Sequence, residues 1–217
     1  MRFTVPKMWI AIVAGTAAAL VAGSGCASNR TDPDAVPSIT VPTSTSVAPP
    51  AGPAQRTPTG TELKFGESAT LPADAFRASG PLALYTVTGI AKGGGVPESI
   101  TKGGTPYFVY VTVTALSQRP TTAPDTEGVT GSPDGRAPTL TVDAPTGLPQ
   151  CVSTTPPERM TRGQSYSTCL VSIADSGTDL KHVIYWADTT ADKSLDYKSG
   201  PVVWSDGTAA SATPSGG

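Results

Sequence analysis

His182 is the only histidine in this chain of 217 residues, so it decides which kinds of base catalysis the sequence supports. A Ser-His-Asp triad needs a histidine base, with a nucleophile and an orienting carboxylate that converge on it. His182 lies in the run Lys181-His182-Val183-Ile184-Tyr185-Trp186, where it shares one face of a predicted strand with Ile184 and Trp186. A histidine in such a run is most often a structural residue, because catalysis needs partners that converge in space. We therefore predict no catalytic residues and a protein that is not an enzyme.

Three other patterns fall short of known chemical sites. The run Gly163-Gln164-Ser165-Tyr166-Ser167 ends in serine where the nucleophile elbow of hydrolases has glycine. The glycine-rich runs at 93–95 and 102–105 do not complete a phosphate-binding loop, and we predict hairpin loops there. Aspartates at positions 175, 179, 188, 192 and 196 lack the ligand spacing of a calcium loop. The sequence therefore predicts neither a metal site nor a cofactor.

The N-terminus has the layout of a secretory signal. Arg2 and Lys7 make it basic, Met8 to Val21 form an apolar core of 14 residues, and small residues follow. A transmembrane helix needs about 20 apolar residues, so this core is short for a span. We predict that residues 1–25 are a signal peptide.

The run Gly23-Ser24-Gly25-Cys26, directly after the apolar core, resembles the lipobox of bacterial lipoproteins. Ser24 and Gly25 fit that pattern, whereas Gly23 stands where leucine is usual. The resemblance implies that the Cys26 thiol takes a diacylglyceryl group, that the mature chain begins there, and that acyl chains such as palmitate insert into the bilayer. The protein would then be anchored on the extracytoplasmic face of the cell membrane. The alternative is an ordinary signal cleaved after Ser24, which would leave a secreted protein.

The odd number of cysteines is consistent with lipidation of Cys26, because a cysteine without a disulfide partner in a secreted protein needs an explanation. Cys151 and Cys169, which lie 18 positions apart, then remain as a pair. Disulfides persist outside the cytoplasm, so we predict a bridge, worth about 3 kcal/mol for a loop of this length in the chain-entropy model. The alternative is two unpaired buried thiols.

Charge excludes some partners. Removing residues 1–25 takes away Arg2 and Lys7 and no acid, so the net charge of the chain falls from −2 to −4. A mildly acidic chain lacks the basic surface that is typical of nucleic-acid-binding proteins. It also lacks a basic patch for anionic lipid, so any bilayer contact depends on the acyl chains at Cys26.

Residues 26–61 are predicted to form a lipidated tether. Prolines at 33, 37, 42, 49, 50, 53 and 58 lie among many Ser and Thr residues, and no apolar periodicity is present. Such a segment cannot bury enough surface to offset its ordering entropy, so we predict a disordered linker. It is either a bare spacer or an O-glycosylated stalk. Residues 205–217 are predicted to be a disordered tail.

The remaining residues, 62–204, suffice for one domain and read as strands separated by turn residues. Seven strand candidates and no amphipathic helix predict an all-β sandwich or barrel. They lie at 63–67, 82–90, 107–116, 140–142, 169–173, 183–186 and 201–204. Cys169, Val171 and Ile173 share one strand face, which predicts that the disulfide points inward.

Several short runs resemble the immunoglobulin-like sandwich, sometimes called telokin-like, of actinobacterial secreted antigens and lipoproteins. They are Lys64-Phe65-Gly66-Glu67, the strand from Pro106 to Thr114, Arg162-Gly163-Gln164, and the closing Val202-Val203-Trp204. The resemblance covers residues 62–204 and implies an antiparallel β-sandwich with no catalytic residues to carry over. The cross-sheet disulfide of true immunoglobulin domains is not matched, because both cysteines fall late in the chain.

Residues 117–138 form the one long polar stretch between two predicted strands. A long loop without structure is usually functional or disordered, and both alternatives stay open here. Its candidate binding residues are Thr121, Asp125, Glu127 and Asp134. The sequence thus predicts a membrane-anchored lipoprotein that presents a non-catalytic sandwich to a protein or glycan of the cell envelope. The alternatives are a carrier of a small apolar ligand and an unrecognised hydrolase.

Overall fold

The structure is a computed structural model that describes residues 47–77, 79–187 and 195–207. The predicted signal peptide, Cys26 and the predicted tail from residue 208 onward lie outside the described residues. The elements, in chain order, are β1 (Glu62–Lys64), β2 (Ser68–Pro72), β3 (Leu82–Lys92), α1 (Glu98–Thr101), β4 (Thr105–Ala115), β5 (Thr121–Thr122), β6 (Val129–Ser132), β7 (Leu140–Asp143), β8 (Arg159–Met160), β9 (Ser165–Ala174), β10 (His182–Tyr185) and β11 (Val202–Ser205). No helix among these residues is long or apolar enough to cross a membrane.

Two sheets form the layers of a sandwich. One sheet has the strand order β1-β11-β10-β6 and the other has the order β2-β3-β4-β9-β7, while β5 and β8 form a separate ribbon. Side chains of both sheets meet in one core, which includes Val111 of β4, Tyr185 of β10 and Trp204 of β11. The predicted all-β sandwich is therefore confirmed.

One strand pair departs from the predicted antiparallel arrangement. β1 runs parallel to β11, so that Leu63 lies opposite Trp204, and the first strand of the domain pairs with its last. The Trp204 indole also donates a hydrogen bond to the main-chain oxygen of Glu67 at 3.0 Å. These contacts join the start of the domain to its end, and β1 forms one edge of the four-stranded sheet.

The strand predicted at 107–116 is confirmed as β4, and its side chains alternate between the two faces of the sheet. Val109, Val111 and Val113 face the core between the sheets, whereas Thr112 and Thr114 lie on the opposite face and pair with Ser167 and Ser165. Two-residue periodicity puts alternate side chains on opposite faces, which is why this strand was visible in the sequence.

The disulfide between Cys151 and Cys169 is present, with its Cα atoms 5.2 Å apart. The prediction that it points inward needs a correction. Leu170 and Tyr166 of β9 face the core between the sheets, whereas Cys169 and Val171 face the outer side. There the bridge packs into a second buried cluster, under the segment that follows β7.

Residues 47–61 pack against the sandwich, although the sequence predicts them as part of the tether. Thr57 and Thr70 exchange two hydrogen bonds, of 2.9 and 2.8 Å, and the Tyr197 hydroxyl donates to the Thr57 carbonyl at 2.7 Å. The Arg162 guanidinium bonds the main-chain oxygen of Pro50. Most of these contacts use main-chain atoms, so they leave no apolar pattern in the sequence.

Candidate functional site

A groove of about 800 Å³ opens between the two sheets, where β6 is the edge of one sheet and β7 is the edge of the other. Its lining is mostly apolar. Its walls are formed by residues 75–76, 126–130, 138–139, 141–143 and 186–187, together with Leu170. This groove is therefore a candidate binding site in the described part of the chain.

Core tyrosines fix the wall at residues 124–130. The buried Tyr85 hydroxyl donates to the main-chain oxygens of Asp125 at 2.8 Å and Pro72 at 3.0 Å. The Tyr166 hydroxyl donates to the Pro124 oxygen at 2.5 Å. These bonds satisfy buried carbonyls of a non-repetitive segment, which would otherwise carry a desolvation penalty. The wall is therefore held by strands β3 and β9 rather than by its own residues.

Gly128 is required where this wall meets β10. Gly128 has a φ of +86°, and its main-chain oxygen accepts a hydrogen bond from the Trp186 N–H at 2.8 Å. A Cβ atom at Gly128 would lie 3.2 Å from Cε2 of Tyr185. Both the left-handed backbone and the close approach favour glycine at this position.

Phe76 stands at the rim of the groove with 76% of its surface exposed. The Asp74 carboxylate fixes its backbone by accepting the Phe76 N–H at 2.8 Å. Leu140, at the start of the edge strand β7, is also 60% exposed but does not belong to the groove lining. An exposed large apolar side chain beside an apolar groove is typical of an interaction site.

A hydroxyl network holds the two edge strands together. Thr141 of β7 lies 2.7 Å from Thr130 of β6 and 2.7 Å from Ser172 of β9, measured between side-chain oxygens. The Ser172 hydroxyl also accepts the Gly131 N–H at 2.9 Å. The network fixes the separation of β6 and β7, and with it the width of the groove.

The only charged side chains in the groove lining are the exposed Glu127 and Asp143. Lys198 lies near one end, where its ammonium is 5.0 Å from the centroid of the Trp186 ring, which suits a cation–π contact. The lining itself is therefore acidic.

Asp125 lies directly behind this wall. Burial raises the pKa of its carboxyl to about 6, and the neighbouring Glu127 carboxylate adds to the rise. The Glu127 N–H, which donates to the Asp125 carboxylate at 3.1 Å, acts in the opposite direction. Asp125 therefore changes its charge in a mildly acidic range.

The four residues predicted as a candidate binding loop do not form one site. Glu127 lines the groove, and Asp125 supports its wall from behind. Asp134 holds a turn, because its carboxylate accepts the N–H groups of Arg136 and Ala137 at 2.8 Å each. These two bonds, the Ala137 bond first, lower the pKa of Asp134. Thr121 lies in the β5–β8 ribbon, opposite Met160.

The predicted loop at 117–138 is not free of structure, since it contains β5 and β6. Strand β6 is buried at all four positions. The sequence Val129-Thr130-Gly131-Ser132 did not predict a strand, because glycine and serine are typical of turns. Gly131 is there for packing, because a Cβ atom would lie 2.7 Å from Cδ1 of Leu180 and 2.9 Å from Cβ of Ser172.

His182 has no catalytic partners in the described part of the chain. Its cross-strand neighbour Ser132 donates its hydroxyl to Asp134 at 3.2 Å and accepts the Gly135 N–H at 3.0 Å. No hydrogen bond in that part joins His182 to Ser132 or Asp134, and its Nδ1 atom is buried without a partner. A nucleophile must lie within hydrogen-bond reach of its base, so this arrangement supports no triad.

The remaining sequence patterns give no site among the described residues. The run 102–105 follows the C-terminal end of the four-residue helix α1, where Lys102 adopts a left-handed conformation. No three His, Cys, Asp or Glu residues in the described ranges are placed to hold a metal ion. Asp188 and Asp192 lie outside those ranges.

Phe76 and Asp143 line the groove but were not recognised as site residues from the sequence. The only signal for Phe76 is a single aromatic residue in a short segment between two predicted strands. Asp143 belongs to a short strand whose edge position is set by tertiary pairing.

No protein-family model matches this chain. No curated protein matches it either. Among solved structures, the chain is similar to MPT63, a secreted protein from Mycobacterium tuberculosis, with a TM-score of 0.35 and 10% sequence identity. The match covers 66% of this chain and 95% of the other.

Proposed function

We propose that this protein is an envelope lipoprotein whose sandwich binds a protein or glycan partner through the groove between β6 and β7. The observation that carries the proposal is Phe76, which is 76% exposed at the rim of a mostly apolar groove. Leaving such a surface in water is unfavourable, so a partner that covers it gains apolar burial.

The rigidity of the groove supports a binding role. Its walls are fixed by the tyrosine hydroxyls of β3 and β9 and by the hydroxyl network between β6 and β7. A preformed surface binds more tightly, because little ordering entropy is lost when the partner docks.

In this proposal, Cys26 carries the lipid that anchors the protein to the outer side of the cell membrane. The contacts of residues 47–61 with the sandwich shorten the predicted tether to residues 27–46. Twenty residues of extended polyproline II span about 60 Å. The sandwich would thus reach partners up to that distance from the bilayer.

A second candidate function is the carriage of a small apolar ligand. The groove volume of about 800 Å³ is in the range of small-molecule sites, and its lining is mostly apolar. The groove is open to solvent along one side, however, and an apolar carrier is expected to enclose its cargo. The hydrolase alternative depends on His182, and a hydrolytic activity that is lost in His182→Gln with an unchanged melting temperature would support it.

The binding role is tested with the full-length protein in the envelope of its own cells. Partners are recovered after detergent solubilisation with the wild type, with Phe76→Ser and with Val152→Ser. Val152 is a matched control, because it is 50% exposed and does not line the groove. The proposal predicts that recovery is lost only with Phe76→Ser, and equal recovery by all three proteins would refute it. An apolar molecule released from the purified wild type would instead support a carrier.

The anchor is tested separately by mass spectrometry of the mature N-terminus. A diacylglyceryl group on Cys26 is expected, and Cys26→Ala should be released from cells or remain unprocessed. An unmodified N-terminus at Gly25 would contradict the anchor and leave a secreted protein.

A further inference from the structure

The turn that follows β2 carries an aromatic and a cationic residue next to each other. Phe76 is 76% exposed, and the neighbouring Arg77 side chain is 80% exposed. Asp74 orders the turn, because its carboxylate accepts the Phe76 N–H at 2.8 Å and its main-chain oxygen accepts the Arg77 N–H at 3.0 Å. An exposed ring and an exposed cation are therefore held by one ordered turn at the rim of the groove.

The Arg77 guanidinium can bond a further carboxylate. Its Nε atom lies 3.4 Å from the Asp74 carboxylate, and an ion pair this exposed contributes little free energy. A guanidinium has five N–H donors in a planar fork, so its contact with Asp74 leaves donors for a second acceptor. Arg77 can therefore pair with a carboxylate of another molecule without leaving Asp74.

The groove offers the groups that complement this turn. Its lining is mostly apolar, and its two charged side chains, Glu127 and Asp143, are both carboxylates. Neither carboxylate has an ion-pair partner among the described residues. The groove can therefore bury an aromatic ring and accept a cation at its rim, and these are the two groups that the turn at Phe76 and Arg77 carries.

The turn and the Glu127 segment belong to one continuous surface. The Asp125 N–H donates to the main-chain oxygen of Ala73 at 3.0 Å, which places the segment that leads to Glu127 next to the turn. A surface that contains both a projecting group and its complement is self-complementary, and two copies related by a two-fold axis make each contact twice. An axis that passes beside Phe76 brings Phe76 of each copy to the groove of the other, and Arg77 of each copy to Glu127 of the other.

We propose that the partner of the groove is a second copy of this chain, bound as a two-fold symmetric dimer. Phe76 of each copy enters the groove of the other, and Arg77 pairs across the interface with Glu127. This inference rests on the proposed binding function and names the partner. A contact confined to the groove and its rim is smaller than a standard interface, so the dimer is weak and its population depends on concentration. Anchoring of both copies in one membrane raises their effective concentration and favours the dimer.

The apolar contact is tested by energy transfer between two preparations of the full mature chain, one labelled with a donor dye and one with an acceptor dye at the C-terminus. The protein is diluted in excess detergent, which keeps the acyl chains of different copies in separate micelles. The wild type should show transfer that falls on dilution. Phe76→Ser should raise the dissociation constant at least about tenfold, because each dimer loses two buried rings, whereas Val152→Ser should change it less than about twofold. Absence of concentration-dependent transfer in the wild type, or equal effects of the two variants, would overturn the proposal.

The ion pair is tested by exchanging charges between copies. Arg77→Glu alone and Glu127→Arg alone each place like charges opposite each other, so each variant should self-associate about five- to fiftyfold more weakly than the wild type. A mixture of the two variants restores an opposite charge at both contacts of the symmetric pair, so its dissociation constant should return to within about threefold of the wild type. Glu158→Arg is the control, because Glu158 is exposed outside the groove lining, and mixing it with Arg77→Glu should restore nothing. Two single variants that stay weak when they are mixed would contradict the pairing of Arg77 with Glu127.

The dimer and the proposed binding function can fail separately. If the wild type recovers a different protein or a carbohydrate from the envelope, Phe76→Ser does not, and the purified wild type shows no self-association, the binding function stands and the dimer is overturned. Recovery of an untagged second copy by the tagged wild type, and not by tagged Phe76→Ser, would support both. Equal recovery of partners by wild type and Phe76→Ser would refute the proposed function itself.

Discussion

The hydroxyl of Tyr85, in the centre of β3, lies 2.8 Å from the main-chain oxygen of Asp125 and donates a hydrogen bond to it. The two residues are 40 positions apart, and the bond joins the core between the sheets to the wall of the groove. The geometry of the candidate site is therefore set by buried residues that do not line it.

Removing this hydroxyl should loosen the wall. Tyr85→Phe leaves the carbonyls of Asp125 and Pro72 without their buried donor, so we expect a loss of about 1–3 kcal/mol in the free energy of unfolding. Hydrogen exchange should become faster in residues 124–128. Tyr110→Phe is a matched control, because its hydroxyl donates to the Gln150 oxygen on the opposite face of the sheet. If both variants leave exchange in residues 124–128 unchanged, the wall does not depend on Tyr85.

The raised pKa of Asp125 predicts that the stability of the protein depends on pH. Its pKa is raised to about 6 in the fold, above its unfolded value, so the folded state holds the proton more tightly than the unfolded state does. The free energy of unfolding should therefore fall as the pH rises from about 4 to about 6, and should change little above that. The side chain is only partly buried, so we expect a fall of about 1–2 kcal/mol.

Asp125→Asn should remove this decline, because an amide accepts the Glu127 N–H without taking a charge. Urea unfolding at several pH values measures the effect, and Asp175→Asn, at an exposed carboxylate, is the control. A decline between pH 4 and 6 that persists in Asp125→Asn would assign it to another group.

Strands in which apolar and polar side chains alternate could be predicted from the sequence, and β4 is the clearest case. It missed β2, β5, β6 and β8 for specific reasons. β5 and β8 have two residues each, which is too short for a pattern, and Pro72 ends β2. β6 contains a glycine that serves packing against β9, whereas glycine in a sequence usually indicates a turn.

The candidate site was harder to predict than the fold. Glu127 was found because it lies in a long polar segment, yet Asp134 from the same segment serves only a turn. The groove arises where β6 and β7 become the edges of two different sheets, and that depends on pairings between residues far apart in the chain. Local amino-acid composition therefore does not predict these pairings.

The glycine at position 128 should be more costly to replace than an open glycine. Gly128→Ala must adopt a φ of +86° and also places Cβ 3.2 Å from Tyr185, whereas Gly147→Ala has a φ of +90° and meets no atom within 4 Å. Backbone strain should lower the free energy of unfolding of both variants by about 1 kcal/mol. The free energy of unfolding of Gly128→Ala should fall by about 1 kcal/mol more. Thermal unfolding compares the two variants. Equal losses would show that the wall absorbs the added methyl group.

The disulfide should stabilise the chain without forming part of the groove. Cys151→Ala/Cys169→Ala should lower the free energy of unfolding by about 3 kcal/mol in the chain-entropy model. It should also expose the outer cluster around Phe108 and Leu148. Partner binding at the groove should persist under conditions where the variant is folded. Loss of binding in a folded variant would show that the bridge also supports the groove.

Photo-crosslinking in intact cells tests the central claim most directly. A photoreactive phenylalanine analogue is placed at Phe76 in the full-length protein, and in a second strain at Val152, which is exposed away from the groove lining. The account predicts a discrete covalent adduct with an envelope protein or glycan from position 76 and none from position 152. Adducts of equal yield from both positions, or no adduct from position 76, would contradict it.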